Sequence, residues 1–454
     1  MSKKKQQIWD GNVRDAALTI LLTVDKSQAY SNLLLHQTIE KYKITDGKDR
    51  GLLTEITYGT LQHKLTLDYF LEPFIRGKVD LWVRWLLRMS LYQMHYLTRI
   101  PAHAAVNEAV EIAKRRGHKG IASMVNGILR SILREGVRST DEIEDANERL
   151  AVATSHPQWL VERWVESYGY EHTKAMLEEN NVPPVQTVRV NTTKATVENV
   201  LATLEREGVK AVRSDVMPEC VHLVTGQAAR TAAFKHGLIT IQDESSMLPA
   251  NVLNPQPGMK VLDMCAAPGG KTTHMAEKMG NEGSILAMDL HPKKLDLIDE
   301  NTARLGLEIV QTAPVDGRKA AEFLATESYD AILVDAPCSG LGVMKRKPDI
   351  KYTKREEDLE SLQTIQLAIL DNAVKLLKQE GRLVYSTCTV DKRENEGTVA
   401  KFLQQHPEME LVPLTNLPQM LLEKQNSGML QVFPQDFGSD GFFVAAFRKK
   451  GEQI

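Results

Sequence analysis

Cysteine is scarce in this chain, and so are the features of membrane and secreted proteins. The four Cys among 454 residues are widely spaced, with no CxxC pair and no His-rich cluster. This spacing predicts neither a disulfide framework nor a metal site, and we expect reduced thiols in a cytoplasmic protein. No run approaches 18 uncharged apolar residues, and the start, MSKKKQQIWDG, has no apolar stretch after its lysines. We therefore expect no membrane span and no secretory signal.

Net charge is also small, at −3, and taken alone this argues against a nucleic-acid partner. The average hides an asymmetry, because residues 1–140 hold 22 Lys and Arg against 13 Asp and Glu. A basic first third favours an electrostatic surface for a nucleic acid there, although a solvated helical surface would show the same charges. The densest run is Lys114, Arg115, Arg116 and Lys119. The same cations could instead complement the dipole at a helix C-terminus, so both interpretations stay open.

The chain is too long for one ordinary domain, and its patterns predict three regions. Over residues 1–140, apolar residues recur at spacings of three and four, which predicts an all-helical domain. Residues 141–240 continue with helices and then, after Pro183-Pro184, predict a small α+β subdomain. Over residues 241–450 five strand-like runs alternate with helix-like segments, ending with LESLQTIQLAILDNAVKLLKQEG, and a tail of two strands follows. Such alternation is typical of a doubly wound parallel α/β sheet.

The segment VLDMCAAPGGKTTHMA, residues 261–276, predicts a strand, a Gly/Pro turn and a helix. Ligands bind at the carboxyl ends of strands in such sheets, where the turn offers backbone N–H groups. A phosphate-binding P-loop would need Gly where Cys265 stands, and the dinucleotide pattern G-x-G-x-x-G is absent. These departures disfavour ATP and NAD and favour a related nucleoside ligand.

Acidic residues follow three successive strands of this region. Asp289 follows the second predicted strand, where a carboxylate can accept hydrogen bonds from both ribose hydroxyls. Asp316 follows the third strand and could meet an adenine amine, and Asp335 follows the fourth. Each alone could be a helix N-cap. Together they predict a nucleoside site.

Two thiols are expected at the same edge of the sheet. Cys338 follows the fourth strand in DAPCSG, and Cys388 follows the fifth in STC. Methylation of cytosine carbon 5 needs a thiolate that adds to carbon 6, a partner for N3, and a base that removes the carbon-5 hydrogen. The two thiols and Asp335 can supply these roles. The residues alone leave open which thiol attacks.

The strings CAAPGGKT, DAPCSG and STC, with RVN upstream and GSDGFF near the end, resemble the NOL1/NOP2/Sun family of RNA cytosine-C5 methyltransferases. The helical front resembles the NusB-like RNA-binding domain of its bacterial RsmB (Sun/Fmu) branch. The resemblance implies a Rossmann-like class I methyltransferase domain after a small α+β linker subdomain. It implies Cys388 as nucleophile, Cys338 as the residue that assists release, and S-adenosylmethionine as cofactor. The implied cofactor contacts are Cys265, Ala266, Ala267, Pro268, Gly269, Gly270, Lys271, Asp289, Asp316 and Asp335.

The resemblance implies 16S rRNA, or an early small-subunit particle, as the partner of a chain assumed to be monomeric, with neither membrane nor metal. One alternative is the same chemistry on another RNA such as tRNA, against which the helical front argues. A second is a non-catalytic RNA-binding assembly or antitermination factor. The presence of Cys338, Cys388 and Asp335 argues against that alternative.

Overall fold

The computed structural model describes residues 11–27 and 30–451, and its contacts divide them into two units. One unit contains the described residues up to Asn181 together with Arg346–Thr353. The other contains Val182–Lys345 and the described residues from Lys354 onward. The start of the chain, MSKKKQQIWDG, where we expect no secretory signal, lies outside the described residues except for Gly11.

The first unit is all helical. Apolar side chains at spacings of three and four face one core, among them Leu18, Leu21 and Leu53, each with no exposed surface. Gly117 and Gly136 follow helices α6 and α7 and end them. Numbered along the chain, the helices are α1 Val13–Ser27, α2 Ser31–Lys41, α3 Gly47–Gln62, α4 Lys64–Leu71, α5 Leu81–Tyr96, α6 Ala102–Arg116, α7 Lys119–Glu135, α8 Ala146–Thr154, α9 Gln158–Tyr168, α10 Tyr170–Asn180 and the short α16 Ile350–Thr353.

Two segments outside the predicted helical domain of residues 1–140 also pack within this unit. The backbone N–H of Leu65 donates to Ser155 Oγ at 2.9 Å, which ties residues from the predicted linker to α4. The buried Lys351 donates to Asn181 Oδ1 at 2.8 Å. Long-range polar contacts of this kind leave no periodic signal in the sequence.

The second unit begins with a small antiparallel sheet in the order β2-β3-β1-β4. Val188 and Val190 of β1 and Val221 of β3 face Val200 of α11 in a core of their own. The sequence predicts β1, α11 and β3, but β2 and β4 have three residues each and too short a pattern to detect. The elements are β1 Gln186–Val190, α11 Val197–Arg206, β2 Ala211–Arg213, β3 Cys220–Leu223, α12 Ala232–Lys235 and β4 Ile239–Ile241.

An eight-stranded sheet follows, with the order β10-β12-β9-β8-β5-β6-β7 and β11 paired to β12. The five strands from β9 to β7 are parallel, as predicted, and β12 runs antiparallel to β9. The strand order reverses between β5 and β8, and ligands bind at such a switch point. The strands are β5 Lys260–Asp263, β6 Ser284–Met288, β7 Val310–Ala313, β8 Tyr329–Asp335, β9 Leu377–Thr387, β10 Met409–Leu411, β11 Met429–Val432 and β12 Phe442–Lys449.

Helices cover both faces of this sheet. Val261 and Leu333 enter one core, while their neighbours Leu262 and Val334 enter the core on the opposite face. Because both faces are buried, the strands are nearly continuous apolar runs. The helices are α13 Leu248–Leu253, α14 Gly270–Lys278, α15 Pro292–Leu305, α17 Glu356–Leu376, α18 Glu396–Gln405, α19 Gln419–Leu422 and α20 Pro434–Phe437. Short 3-10 turns lie in the helical unit at Glu72–Phe74 and Thr140–Glu142, and in the second unit at Ala228–Arg230, Ser245–Met247 and Gly317–Glu322.

One predicted helix end is wrong. The pattern extends the last long helix through residue 381, but α17 ends at Leu376 and β9 begins at Leu377. Leu377 pairs with Tyr329 of β8, so sheet pairing overrides the helical propensity of this segment. Within residues 11–27 and 30–451, no helix combines the length and hydropathy needed to cross a bilayer.

Candidate active site

The Gly/Pro turn joins β5 to α14 as the sequence predicts. Gly269 has a φ of +98°, which only glycine adopts readily, and a side chain there would press on Ile298 at 3.3 Å. The turn is held because the N–H of Gly269 donates to Ala266 O at 2.7 Å. Helix α14 then begins at Gly270, so its free N–H groups face the carboxyl edge of the sheet.

Four carboxylates converge on this turn. Burial raises the pKa of Cys265 well above its usual value, and the next causes are the charges of Asp263, Asp335, Asp289 and Asp316. All four carboxylates therefore lie within electrostatic range of one thiol at the carboxyl edge of the sheet. Asp263, at the end of β5, is the member that the sequence analysis did not single out.

Asp263 is buried, and its Oδ1 atom has no hydrogen-bond partner among the described residues. Its Oδ2 atom accepts a hydrogen bond from Thr272 Oγ1 at 2.7 Å. Burial raises the pKa of this carboxyl to about 7, even though the Thr272 bond opposes the rise. A cationic ligand at the turn would supply the missing partner.

Two of the other three carboxylates, Asp289 and Asp316, each hold a turn. Asp289 Oδ1 accepts from the N–H of His291 at 3.0 Å, directly after β6. Asp316 caps a 3-10 turn through the N–H of Arg318 and pairs with that guanidinium at 2.6 Å. The N-cap interpretation thus describes Asp316, and its predicted contact with adenine stays a prediction.

The two thiols meet at the carboxyl ends of β8 and β9. Cys338 Sγ and Cys388 Sγ are 3.3 Å apart. Their proximity follows from strand register, because Asp335 pairs with Ser386 two residues before Cys388. The hydrogen bond to Cys388, followed by burial, raises the pKa of Cys338 well above its usual value.

Lys271 contacts protein groups that the sequence does not predict. Its Nζ atom lies 2.8 Å from Asp335 Oδ2, while Ser386 Oγ donates to Asp335 Oδ1 at 2.7 Å. Burial favours the neutral amine, but the Asp335 carboxylate outweighs it and the pKa of Lys271 is raised. The Cys388 thiol is among the groups whose charge acts on this ammonium. A cation therefore lies within electrostatic range of a thiol that could ionise.

A buried arginine of the small sheet contacts the Gly/Pro turn and braces it. Arg189 of β1 donates to both carboxylate oxygens of Glu277, at 2.9 and 2.8 Å, and to Gly270 O at 2.7 Å. Neither charged side chain has more than 2% exposure. The sequence motif RVN contains Arg189, but its partner lies 88 residues away and no spacing rule predicts the pair.

The basic run of the helical unit divides into two kinds of residue. Arg116 pairs with Asp15 Oδ1 at 2.6 Å and also donates to Thr19, so it joins α6 to α1. Lys114 and Lys119 are exposed. Lys119 is the first residue of α7, so the prediction that it lies at the C-terminus of α6 was wrong. Both line a groove between α6 and α7 that also contains the exposed Arg130.

Three family matches follow the order of the regions along the chain. The NusB family matches residues 11–134. The ferredoxin-like domain described for RsmF/B-like methyltransferases matches residues 156–230. The family described as 16S rRNA methyltransferase RsmB/F matches residues 250–448, which include the Gly turn and both thiols.

Relatives match over nearly the full length. The probable ribosomal RNA small subunit methyltransferase B of Bacillus subtilis (strain 168) is 51% identical, covering 97% of this chain and 99% of the relative. A ribosomal RNA small subunit methyltransferase B from Escherichia coli O1:K1 is 35% identical, covering 98% and 100%. The crystal structure of PH0851 aligns with a TM-score of 0.82 at 29% identity, covering 98% and 100%. NSun6 from Pyrococcus horikoshii with SFG aligns with a TM-score of 0.59 at 25% identity, covering 65% and 99%.

Proposed function

Because the chain belongs to the 16S rRNA methyltransferase RsmB/F family, we propose that it methylates carbon 5 of a cytosine in 16S rRNA through a covalent cysteine adduct. The observation that carries the proposal is the thiol pair, with Cys338 Sγ and Cys388 Sγ 3.3 Å apart beside the Lys271–Asp335 ion pair. One thiol can attack carbon 6, and the other can remove the proton from carbon 5 after methyl transfer. A methyltransferase acting on oxygen or an amine would need no such pair.

Cys388 is the attacking residue in this proposal. Thiolate, not thiol, adds to carbon 6, so a nearby cation favours the reaction by stabilising the charged sulfur. Lys271 is that cation, and the Asp335 carboxylate keeps it charged against the opposing effect of burial on its pKa. The family resemblance supports this order of the thiols, since the residues alone allow either one to attack.

The Lys271–Asp335 pair also faces the cytosine ring in this proposal. Adding a thiolate to carbon 6 pushes negative charge toward N3, so a donor there stabilises the adduct. An ionised carboxylate accepts hydrogen bonds but has none to donate. In this proposal Lys271 donates a hydrogen bond to N3 in place of the predicted Asp335, and Asp335, held by Ser386, orients the ammonium.

Cys338 completes the cycle as the base. In the free protein its pKa is raised chiefly by its hydrogen bond to Cys388. Once Cys388 is bound to carbon 6 as a thioether, that hydrogen bond is lost and Cys338 releases its proton to solvent more readily, which leaves a thiolate. It then removes the hydrogen from carbon 5, the C5=C6 double bond re-forms, and Cys388 leaves as a thiolate.

The cofactor is S-adenosylmethionine, and the crevice suits it. Its positive charge matches the buried Asp263, whose Oδ1 atom lacks a partner among the described residues. The Gly turn and the N-terminus of α14 provide N–H groups for the methionine carboxylate. Asp289 would hold the ribose hydroxyls and Asp316 the adenine amine. When bound, the cofactor supplies the methyl group that carbon 5 receives.

Replacing Asp289 with alanine should weaken S-adenosylmethionine binding by about 1.5–3 kcal/mol, the usual range for hydrogen bonds to a charged group. Isothermal titration calorimetry measures the loss. The exposed carboxylate Asp296 of α15 is the matched control, and Asp296→Ala should bind normally. Unchanged affinity in Asp289→Ala would remove this residue from the ribose site and weaken the cofactor assignment.

The helical unit serves RNA affinity rather than catalysis in this proposal. The groove between α6 and α7 presents Lys114, Lys119 and Arg130 to solvent. Phosphate contacts release counterions, so each lost contact flattens the slope of log affinity against log salt by about 0.7–0.9. Replacing the three by Gln should therefore flatten the slope by roughly two units. Single-turnover rate at saturating RNA should change little.

Arg116→Gln is the control for that experiment. Its guanidinium bonds to Asp15 and Thr19, so its loss should lower the melting temperature and leave the salt slope unchanged. An unchanged slope in the triple variant would show that the groove does not contact RNA phosphates.

The function itself is tested with purified protein, labelled S-adenosylmethionine and 16S rRNA, offered both naked and as an early small-subunit particle. Bisulfite sequencing should then reveal one protected cytosine, because 5-methylcytosine resists deamination. Label in tRNA but not in 16S rRNA would favour the alternative substrate. Label without bisulfite protection would contradict the carbon-5 chemistry.

A further inference from the structure

Glu394 lies beside the thiol pair and takes no part in the steps above. It follows β9 in the sequence ENE, and its side chain is fully buried. The N–H of Ser339 donates to Glu394 Oε2 at 2.9 Å, and the hydroxyl of Ser339 donates to Oε1. Gln366 of α17 donates to Oε2 at 3.0 Å. Three donors thus converge on one carboxylate.

These bonds join the residues next to the two thiols. Ser339 follows Cys338, and its hydroxyl lies 2.9 Å from the Thr389 hydroxyl, which follows Cys388. Gln366 also donates to Pro337 O at 3.0 Å, on the other side of Cys338. Glu394 therefore accepts hydrogen bonds from the loop that carries Cys338. The contact between Ser339 and Thr389 links this loop to the loop that carries Cys388.

Burying an ionised carboxylate costs free energy unless hydrogen bonds replace the water that it loses. Burial raises the pKa of Glu394, and the Ser339 bonds oppose the rise by favouring the ionised form. The hydrogen bonds that hold Glu394 come from Ser339 and Gln366, which also contact residues next to Cys338 or Cys388. From the contacts, we infer that Glu394 is a positioning residue that sets the distance between Cys338 and Cys388. The inference deepens the proposed function, because it rests on the two thiols acting on one base.

The distance can be measured without RNA. Diamide takes two electrons and two protons from a thiol pair and leaves a disulfide, at a rate that depends on the thiolate fraction and on how often the sulfurs meet, so rates are compared at equal thiolate fraction. At 3.3 Å, Cys338 and Cys388 should cross-link readily in the wild-type protein. In Glu394→Gln the amide places a donor where the carboxylate accepted, so the cross-linking rate should fall roughly tenfold. Peptide mass spectrometry identifies the bridge.

Glu396→Gln is the matched control. Glu396 is the second glutamate of ENE and is partly buried, and its Oε2 atom has no hydrogen-bond partner among the described residues. Its variant should cross-link at the wild-type rate. Calorimetry with S-adenosylmethionine verifies that each variant keeps its cofactor site. If Glu394→Gln does not fold, Ser339→Ala gives the same test, because it removes the hydroxyl that joins Glu394 to Thr389.

Wild-type cross-linking rates in Glu394→Gln, or in Ser339→Ala if that variant replaces it, would overturn the inference. So would an equal fall in Glu396→Gln, because the effect would then be general loosening. In the methylation assay Glu394→Gln should accumulate a covalent protein–RNA adduct on Cys388, because a misplaced Cys338 cannot remove the carbon-5 proton. Cys338→Ala should accumulate the same adduct. The two ideas can fail separately. If Glu394→Gln cross-links more slowly but Cys338→Ala traps no adduct, the positioning role of Glu394 stands and the proposed role of Cys338 is rejected.

Discussion

Cys388→Ala should abolish methyl transfer, with a fall in single-turnover rate of at least roughly a thousandfold, as loss of a nucleophile typically causes. Carbon 5 of cytosine is too poor a nucleophile to accept a methyl group until a thiolate has added to carbon 6. Without the sulfur at the end of β9, the remaining groups can hold the cofactor and the base but cannot activate it. Cofactor affinity should stay close to the wild-type value, because the proposed cofactor contacts do not include Cys388.

The measurement is a rapid-quench assay with saturating RNA and labelled S-adenosylmethionine. Cys220→Ala is the matched control, since it removes a buried thiol from the small sheet. A Cys388→Ala rate of even one tenth of wild type would exclude Cys388 as the nucleophile. A comparable loss in Cys220→Ala would point to misfolding instead.

Cys338→Ala should have a different effect: attack and methyl transfer proceed, but the product stays attached to Cys388. The reason is that the adduct cannot collapse until a base removes the hydrogen on carbon 5. Multiple turnover should stop after about one equivalent of product. A protein–RNA adduct should accumulate and survive denaturing gel electrophoresis.

The two variants together decide the order of the thiols. An adduct with Cys388→Ala instead of Cys338→Ala would mean that the roles are exchanged. No adduct in either variant, with turnover retained in Cys338→Ala, would mean that another base removes the proton. The double variant should form no adduct in any case, because it has no nucleophile.

Much of the fold could be predicted because hydrophobic periodicity reports burial. The five parallel strands lie where the apolar runs are, and Gly269 marks the turn that needs a positive φ. The predicted helix through residue 381 failed at Leu377, where pairing with Tyr329 outweighs helical propensity. Pairing partners are chosen by packing between distant segments, which local pattern does not contain.

The site divides in the same way. Strand-end positions placed Asp289, Asp335, Cys338 and Cys388 at one edge, because parallel strands all end on the same side. The sequence does not predict that Lys271 pairs with Asp335. It leaves Asp263 among the apolar residues of a strand, and its buried carboxylate becomes visible only when the sheet closes around it.

By itself, the sequence determined which residues are candidates for the chemistry, since residue type and position along a strand are local properties. Only the tertiary structure decided which groups touch. It made Arg116 a brace to Asp15 and left Lys119 and Arg130 facing a groove. It also joined Glu394 to Ser339, 55 residues away. Hydrogen bonds and ion pairs act over a few ångströms of space, and the chain brings such partners together only when its cores have packed.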